Sequence, residues 1–163
     1  MVVGQRNPLF KIRSSDGQIF VIQDWLIQKS KSFSVVYPFM KDSAQPLQTT
    51  VSSFILEKII EWCHHHRHDD ADQDYRLIPV WDAQFLNDNN GIVFLLIEAA
   101  YRLEIRGLLD IACRAVSITL GRSMNEVKVM LRVGEPEDVF NVDDELREDD
   151  EEDADMIPAI PAA

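Results

Sequence analysis

Residues 91–113 read GIVFLLIEAAYRLEIRGLLDIAC, and the fold turns on this stretch. Ile92, Val93, Phe94, Leu95, Leu96 and Ile97 form an unbroken apolar run, which Glu98, Tyr101, Arg102, Glu104 and Arg106 then interrupt. A surface helix carries one apolar stripe, whereas a helix apolar on nearly every side is enclosed. A bilayer span needs roughly 20 apolar residues, and this run meets charge long before that. The stretch therefore predicts the central helix of a soluble core. Leu95, Leu96, Leu103 and Leu109 lie inside that core, and the chain passes through Arg106-Gly107 into a second helix over residues 108–120.

Upstream of this stretch, the helical spacing of Ile55, Leu56, Ile59, Ile60, Trp62 and Cys63 predicts an amphipathic helix over 51–66. The chain begins with a β-hairpin. Residues 9–14 and 19–22 are short β-prone runs, and Asp16-Gly17 between them suits a tight turn, because glycine accepts positive φ. Asp24 is placed to cap a helix through Trp25, Leu26 and Ile27, and a second helical piece over 32–37 is expected to stop at Pro38. Residues 46–49 offer a third, edge strand. Residues 67–77 are polar and aperiodic, which predicts a mobile loop; Asp82 is expected to cap a short helix over 83–86, and Asn90 to cap the central one.

Downstream, Gly121 closes the second helix, and Ser123-Met124-Asn125-Glu126 has the form of a capping box. A last helix follows over Val127, Met130, Leu131 and Val133, stopped by Gly134 and Pro136. Ten acids and one arginine between 143 and 155 carry −9 of the net charge of −12, so the body is close to balanced. That tail, 143–163, is expected to be disordered, because it cannot bury enough apolar surface to offset its ordering entropy. No clustered basic surface argues for nucleic acid, and no stretch argues for a membrane. Cys63 and Cys113 read as free, buried thiols of an intracellular protein.

The histidines gather in Cys63-His64-His65-His66-Arg67-His68. His64 and His68 have the spacing of a helical zinc pair, but a helix end whose cations face solvent and suit the C-terminal dipole is the better reading, and no metal or cofactor is expected. The chain has no nucleophile elbow and no glycine-rich phosphate or dinucleotide loop, and its paired carboxylates lie in the acidic loop and tail, so no enzyme is expected. What remains is a surplus of apolar residues at Val116, Ile118, Leu120, Met124, Val127, Val129, Met130, Leu131 and Val133, more than two terminal helices need for docking on one core. An exposed remainder would mark a partner surface.

Four stretches carry a resemblance: SSDG-x-IF at 14–20, KIIEWCHHH at 58–66, IPVWD-x-x-FL at 78–86 and AA-x-x-L-x-I-x-GLLD at 99–110. In this order and spacing, across about residues 9–130, they resemble the S-phase-kinase-associated adaptor family of SCF (cullin–RING) ubiquitin ligases, more distantly related to elongin C. The resemblance implies an α/β (α+β) fold: a BTB/POZ core over 9–111 with a small three-stranded sheet flanked by helices, then C-terminal F-box-binding helices over 112–133. It implies a bridge between F-box proteins and the cullin N-terminal region in protein ubiquitination and degradation, in the cytoplasm and nucleus. Phe94, Ile97, Cys113, Val116, Leu120, Val127 and Leu131 would form the F-box surface, and Tyr101 and Arg102 would face the cullin. The chain departs from the family pattern in three places. Tyr101-Arg102 stands where the family has Asn-Tyr, and Pro38 interrupts a family helix that is followed by a shortened insert at 41–45. Gly134-Glu135-Pro136 and the acidic tail replace a Trp-Cys ending. The competing expectation is a self-associating BTB/POZ scaffold, a homodimer with cullin binding weakened or lost.

Overall fold

The computed structural model describes residues 10–70 and 73–133. Strands β1 (Phe10–Arg13) and β2 (Ile19–Ile22) pair antiparallel, with Ile12 opposite Phe20. The turn between them places Gly17 at φ 91°, a conformation that costs a side-chain-bearing residue energy. The turn is also anchored. The backbone N–H and hydroxyl of Ser53 donate to the two carboxylate oxygens of Asp16 at 2.7 and 2.6 Å, which holds that carboxyl down to about 2. Strand β3 (Leu47–Gln48) joins β1 in parallel with Leu47 opposite Ile12, giving a three-stranded sheet ordered β2-β1-β3. Alternation along β1 sends Phe10 and Ile12 into the core and Lys11 to solvent. Phe10 meets Phe33 and Tyr37 edge to face at 5.7 and 5.8 Å.

Helices α1 (Asp24–Lys29) and α2 (Lys31–Met40) follow. Gln23, in extended conformation, holds the N-cap position of α1, so Asp24 is the first helical residue and meets the helix dipole instead of capping it. Pro38 does not stop α2, which runs to Met40. Proline removes only the hydrogen bond to the carbonyl of Ser34; Ser34 and Pro38 are both exposed, so water can take that carbonyl, and Lys41 N–H resumes the ladder on Tyr37 at 2.9 Å.

Helix α3 (Ser53–His65) is capped by the hydroxyl of Ser52 and buries Ile55, Leu56, Ile59, Trp62 and Cys63. Full burial of a side chain such as Leu56 or Ile59 contributes about 1.5–3 kcal/mol. The segment after α3 is no free excursion, because Tyr75 is buried. Helix α4 (Val80–Asp88) starts at Val80 with Pro79 as N-cap, so Asp82 is its third residue and fully buried, and not a cap. A short 3-10 turn (Asn90–Ile92) takes Asn90 away from the capping role, and α5 (Val93–Arg102) starts after Ile92.

Helix α5 is not enclosed on all sides. Leu96, Ile97, Ala99 and Ala100 are buried, but Phe94 and Leu95 are exposed, which corrects the core assignment of Leu95. Six consecutive apolar residues span more than one helical turn, so some must face away from any single core. Leu103 and Leu109 are buried as expected. Helix α6 (Arg106–Leu120) packs on α5 and ends at Gly121 in the left-handed conformation. Gly107 is needed for close approach: a Cβ there would stand 2.9 Å from both the Trp62 and Tyr75 rings.

The described residues fall into two compact units, one ending at Arg122 and one starting at Ser123. In the second, α7 (Met124–Leu131) carries the expected capping box of Ser123 and Glu126, buries Val127, and ends at Arg132 in left-handed conformation, ahead of Gly134. The tail 143–163 and the Gly134–Pro136 stop lie outside the described residues. Among the described residues no helix is long and apolar enough to cross a membrane.

Candidate interaction site

Helices α5 and α6 present apolar side chains to solvent. Phe94 is 59% and Leu95 52% exposed on α5, Ile118 70% and Leu120 48% on α6. Ile97, Cys113 and Val116, on the same two helices, are buried, so within this unit they underlie the surface and do not line it. In the second unit, Val129 and Met130 are exposed, Leu131 is half-buried and Val127 is fully buried. The predicted F-box residues thus divide into exposed Phe94 and Leu120, half-buried Leu131, and buried Ile97, Cys113, Val116 and Val127.

The other end of α5 is polar and pinned. Arg102 Nη2 pairs with Glu98 Oε1 at 2.8 Å, one helical turn back, and Nη1 donates to Thr50 Oγ1 at 2.9 Å. Tyr101 is half-buried. The α5–α6 connection is tied to the start of α2. Ser30 Oγ donates to the Leu103 carbonyl, Ser32 Oγ donates to Glu104 Oε2 at 2.7 Å, and Lys31 N–H donates to the Glu104 carbonyl at 3.2 Å. Glu104 takes φ 54° in this tight connection. Val35 and Phe39, three and seven residues past Ser32 on α2, are exposed.

A third feature escaped the sequence reading. His66 is not a solvated helix end. It is 4% exposed and bridges two carboxylates, with Nδ1 2.7 Å from Asp69 Oδ2 and Nε2 2.9 and 3.0 Å from the two oxygens of Asp82. Trp62 Nε1 donates to Asp82 Oδ1 at 2.6 Å, and the Tyr75 hydroxyl donates to Asp69 Oδ2 at 2.6 Å. Burial pushes the His66 pKa down, but hydrogen bonds and charge from Asp82 and Asp69 outweigh it, leaving the pKa above the ordinary 6.5. Burial likewise works to raise Asp69, yet its bonds to Tyr75 and His66 hold it below the ordinary 3.8. Beside this cluster, His65 stacks on Trp81 at 3.8 Å, while His64, His65 and His68 are exposed. A signal was present in the sequence: Trp62 near the end of α3 and His66 at its C-cap stand at i,i+4 spacing. Their partner Asp82 lies on a separate helix, which local periodicity cannot reach.

The family model "Skp1 family, tetramerisation domain" matches residues 8–68. The chain is 34% identical over 134 residues to a Skp1-related protein of Caenorhabditis elegans, covering 72% of this chain and 76% of the relative. It is 32% identical over 128 residues to the E3 ubiquitin ligase complex SCF subunit sconC of Arthroderma benhamiae, covering 72% and 78%. Against the SCF ubiquitin ligase complex protein SKP1a of Dictyostelium discoideum, identity is 30% over 154 residues, 88% of this chain and 90% of the relative. With its three-stranded sheet flanked by helices, and these relatives aligned over most of their length, this chain belongs to the Skp1 family.

Proposed function

We propose that this chain is the non-catalytic adaptor of an SCF-type ubiquitin ligase, joining F-box substrate receptors to a cullin scaffold. Two of the relatives are named as SCF subunits, and the observation that carries the reading onto this chain is the exposed apolar set Phe94, Leu95, Ile118 and Leu120. An amphipathic F-box helix offers the matching apolar stripe. In the second unit, α7 exposes Val129 and Met130, and methionine is suited to partners of varied shape. The cullin would dock at the far end of α5, around Arg102, Tyr101 and the exposed Val35 and Phe39 of α2. As an adaptor, the protein contributes position, because holding a receptor at fixed distance from the conjugating machinery replaces a bimolecular encounter. Its two buried cysteines, Cys63 and Cys113, suit the cytoplasm and nucleus.

The test is co-purification of the full chain with several F-box proteins, and of that complex with a cullin N-terminal domain. A stable F-box complex that recruits cullin is expected, and failure with every F-box protein tried would sink the reading. A second reading, self-association, is favoured by β2, an edge strand on which Ile19 and Val21 are half exposed. Sedimentation over a concentration series separates the two, since a strict monomer at high concentration removes the second.

A further inference from the structure

His66 meets a carboxylate at each ring nitrogen, and against two ionised carboxylates that specifies its protons. An ionised carboxylate only accepts hydrogen bonds, so contacts of 2.7 Å at Nδ1 and 2.9 Å at Nε2 are both satisfied only when both nitrogens carry a proton. A neutral ring has a single N–H and must set a lone pair against one of the two. Asp82 is fully buried, with Trp62 Nε1 as its other donor, and has no water to turn to. The Asp69 side chain is 34% exposed. A neutral ring therefore keeps its proton on Nε2 for Asp82 and presents the Nδ1 lone pair to Asp69. One donor stands ready for that lone pair. The Tyr75 hydroxyl lies 3.2 Å from Nδ1 as well as 2.6 Å from Asp69 Oδ2, and its one proton can serve either.

We propose that His66, Asp69, Tyr75 and Asp82 form a proton-operated latch: the imidazolium fastens Asp69, and with it residues 67–70, onto the helical core. When one ring proton leaves to solvent, Tyr75 turns to His66 and Asp69 is released to water. Asp69 is also held through its backbone. Asp69 N–H donates to the His66 carbonyl at 3.0 Å, and Lys29 Nζ on α1 donates to the Asp69 carbonyl at 2.8 Å. His66, Asp69 and Tyr75 also wall an open cavity of about 650 Å³ with Gln73, Leu77 and Pro79, which brings solvent to the titrating ring.

Around His66 stand Trp62 and His65 from α3, Asp69 and Tyr75 from the segment, and Trp81 and Asp82 from α4; Lys29 from α1 bonds the Asp69 carbonyl, Cys63 acts on Tyr75, and Asp74 and Arg76, paired with each other, line the same cavity. Burial pushes the Cys63 thiol up, and burial with the Asp69 bond pushes the Tyr75 phenol up, so both keep their protons through the neutral range. Asp69 stays ionised there, its pKa being lowered, and His66, raised from 6.5, is the group with a resolved shift whose ordinary range lies between those of the carboxylates and of the phenol and thiol. A histidine raised on folding contributes stability that is complete below its unfolded value, here 6.5, and is lost as pH rises through the folded value. The latch therefore closes on the acid side and opens on the alkaline side.

The experiment is a nuclear magnetic resonance titration of the ring nitrogens in the full chain from about pH 5 to about pH 9, with amide exchange read on the same samples. His66 should titrate above the ordinary 6.5, with both nitrogens protonated below its midpoint. Exchange at residues 67–70, corrected for intrinsic base catalysis, should rise about tenfold or more across that midpoint, while exchange in α6 stays level. The two variants should act with opposite signs. Asp69→Asn removes a charge that holds the imidazolium and lowers the midpoint. Tyr75→Phe removes the donor that answers the neutral ring and raises it. If Tyr75→Phe fails to fold, Asp69→Asn on its partly exposed side chain decides alone. A His66 midpoint at or below the ordinary 6.5, a midpoint unmoved by Asp69→Asn, or exchange that ignores the titration would overturn the latch.

Discussion

Asp82 and Phe94, on successive helices, break the rule of polar outside and apolar inside in opposite directions. Asp82 is fully buried, yet its oxygens take donors from Trp62 and His66, so the polar group is answered from within the chain. Phe94 is 59% exposed, and Leu95 beside it 52%. A buried polar group that is satisfied is closed business for the fold, because desolvation has been offset by hydrogen bonds. Apolar surface left in water remains open to whatever can cover it. Changes around Asp82 should therefore register as stability, and changes around Phe94 as binding.

The largest expected effect is at the first of these. Asp82→Ala strands the Trp62 N–H and the Nε2 side of His66 in the core, and breaking a buried charged pair from one side costs about 3–5 kcal/mol. Denaturant unfolding measures it, and a loss under about 1 kcal/mol would show that the cluster is not what holds α4 to α3. Gly107→Ala attacks the same region without touching charge. The new methyl would stand 2.9 Å from the Trp62 and Tyr75 rings, and overpacking of this kind costs about 1–3 kcal/mol. A neutral Gly107→Ala would mean that the two rings shift freely, which contradicts a tightly seated cluster.

How far this contrast was legible in the sequence depends on the range of the interactions. The hairpin turn at Asp16-Gly17, the amphipathic α3 and the Ser123–Glu126 capping box are local patterns, and each forms where periodicity or turn chemistry placed it. The three-stranded sheet flanked by helices followed from the resemblance and is present. The orientation of α5 was not legible, because an unbroken apolar run from Ile92 to Ile97 carries no phase by which to tell Leu95 from Leu96. The burial of His66 was only half legible: its i,i+4 spacing from Trp62 put it on the apolar face, but Asp82, the group that satisfies it there, comes from α4. Pro38 looked like a helix stop because a sequence does not say which carbonyls face water. The apolar surplus of the terminal helices was visible as composition, but its division into exposed Leu120 and buried Val116 required the packing.

At the open surface, Phe94→Ala should leave stability within about 0.5 kcal/mol, as exposed substitutions do. Binding of an F-box peptide should weaken by about fivefold or more if the ring is an anchor, since anchors cost more than about 1 kcal/mol on truncation. Titration calorimetry on one protein preparation reads both affinity and, after melting, stability. The reverse pattern, lost stability with unchanged affinity, would place Phe94 with Asp82 on the structural side of the comparison.

Arg102 offers the smallest change in stability and tests whether the contrast holds along one helix. Its pair with Glu98 is half exposed at both ends, and an exposed i,i+4 pair is worth about 0.3–0.5 kcal/mol, so Arg102→Tyr should cost no more than that. Its effect on docking should be larger. An arginine held by Glu98 and Thr50 presents a charged, hydrated plane where a tyrosine would present a ring with an apolar face, and the two are not interchangeable against an apolar pocket. Cullin binding by the F-box-loaded adaptor should therefore strengthen in Arg102→Tyr. Glu98→Ala, which frees the guanidinium to swing aside, should recover part of that gain with the arginine still in place. If neither variant moves the cullin affinity, the C-terminal end of α5 is not a docking surface, and the apolar end at Phe94 is the only part of that helix left open to a partner.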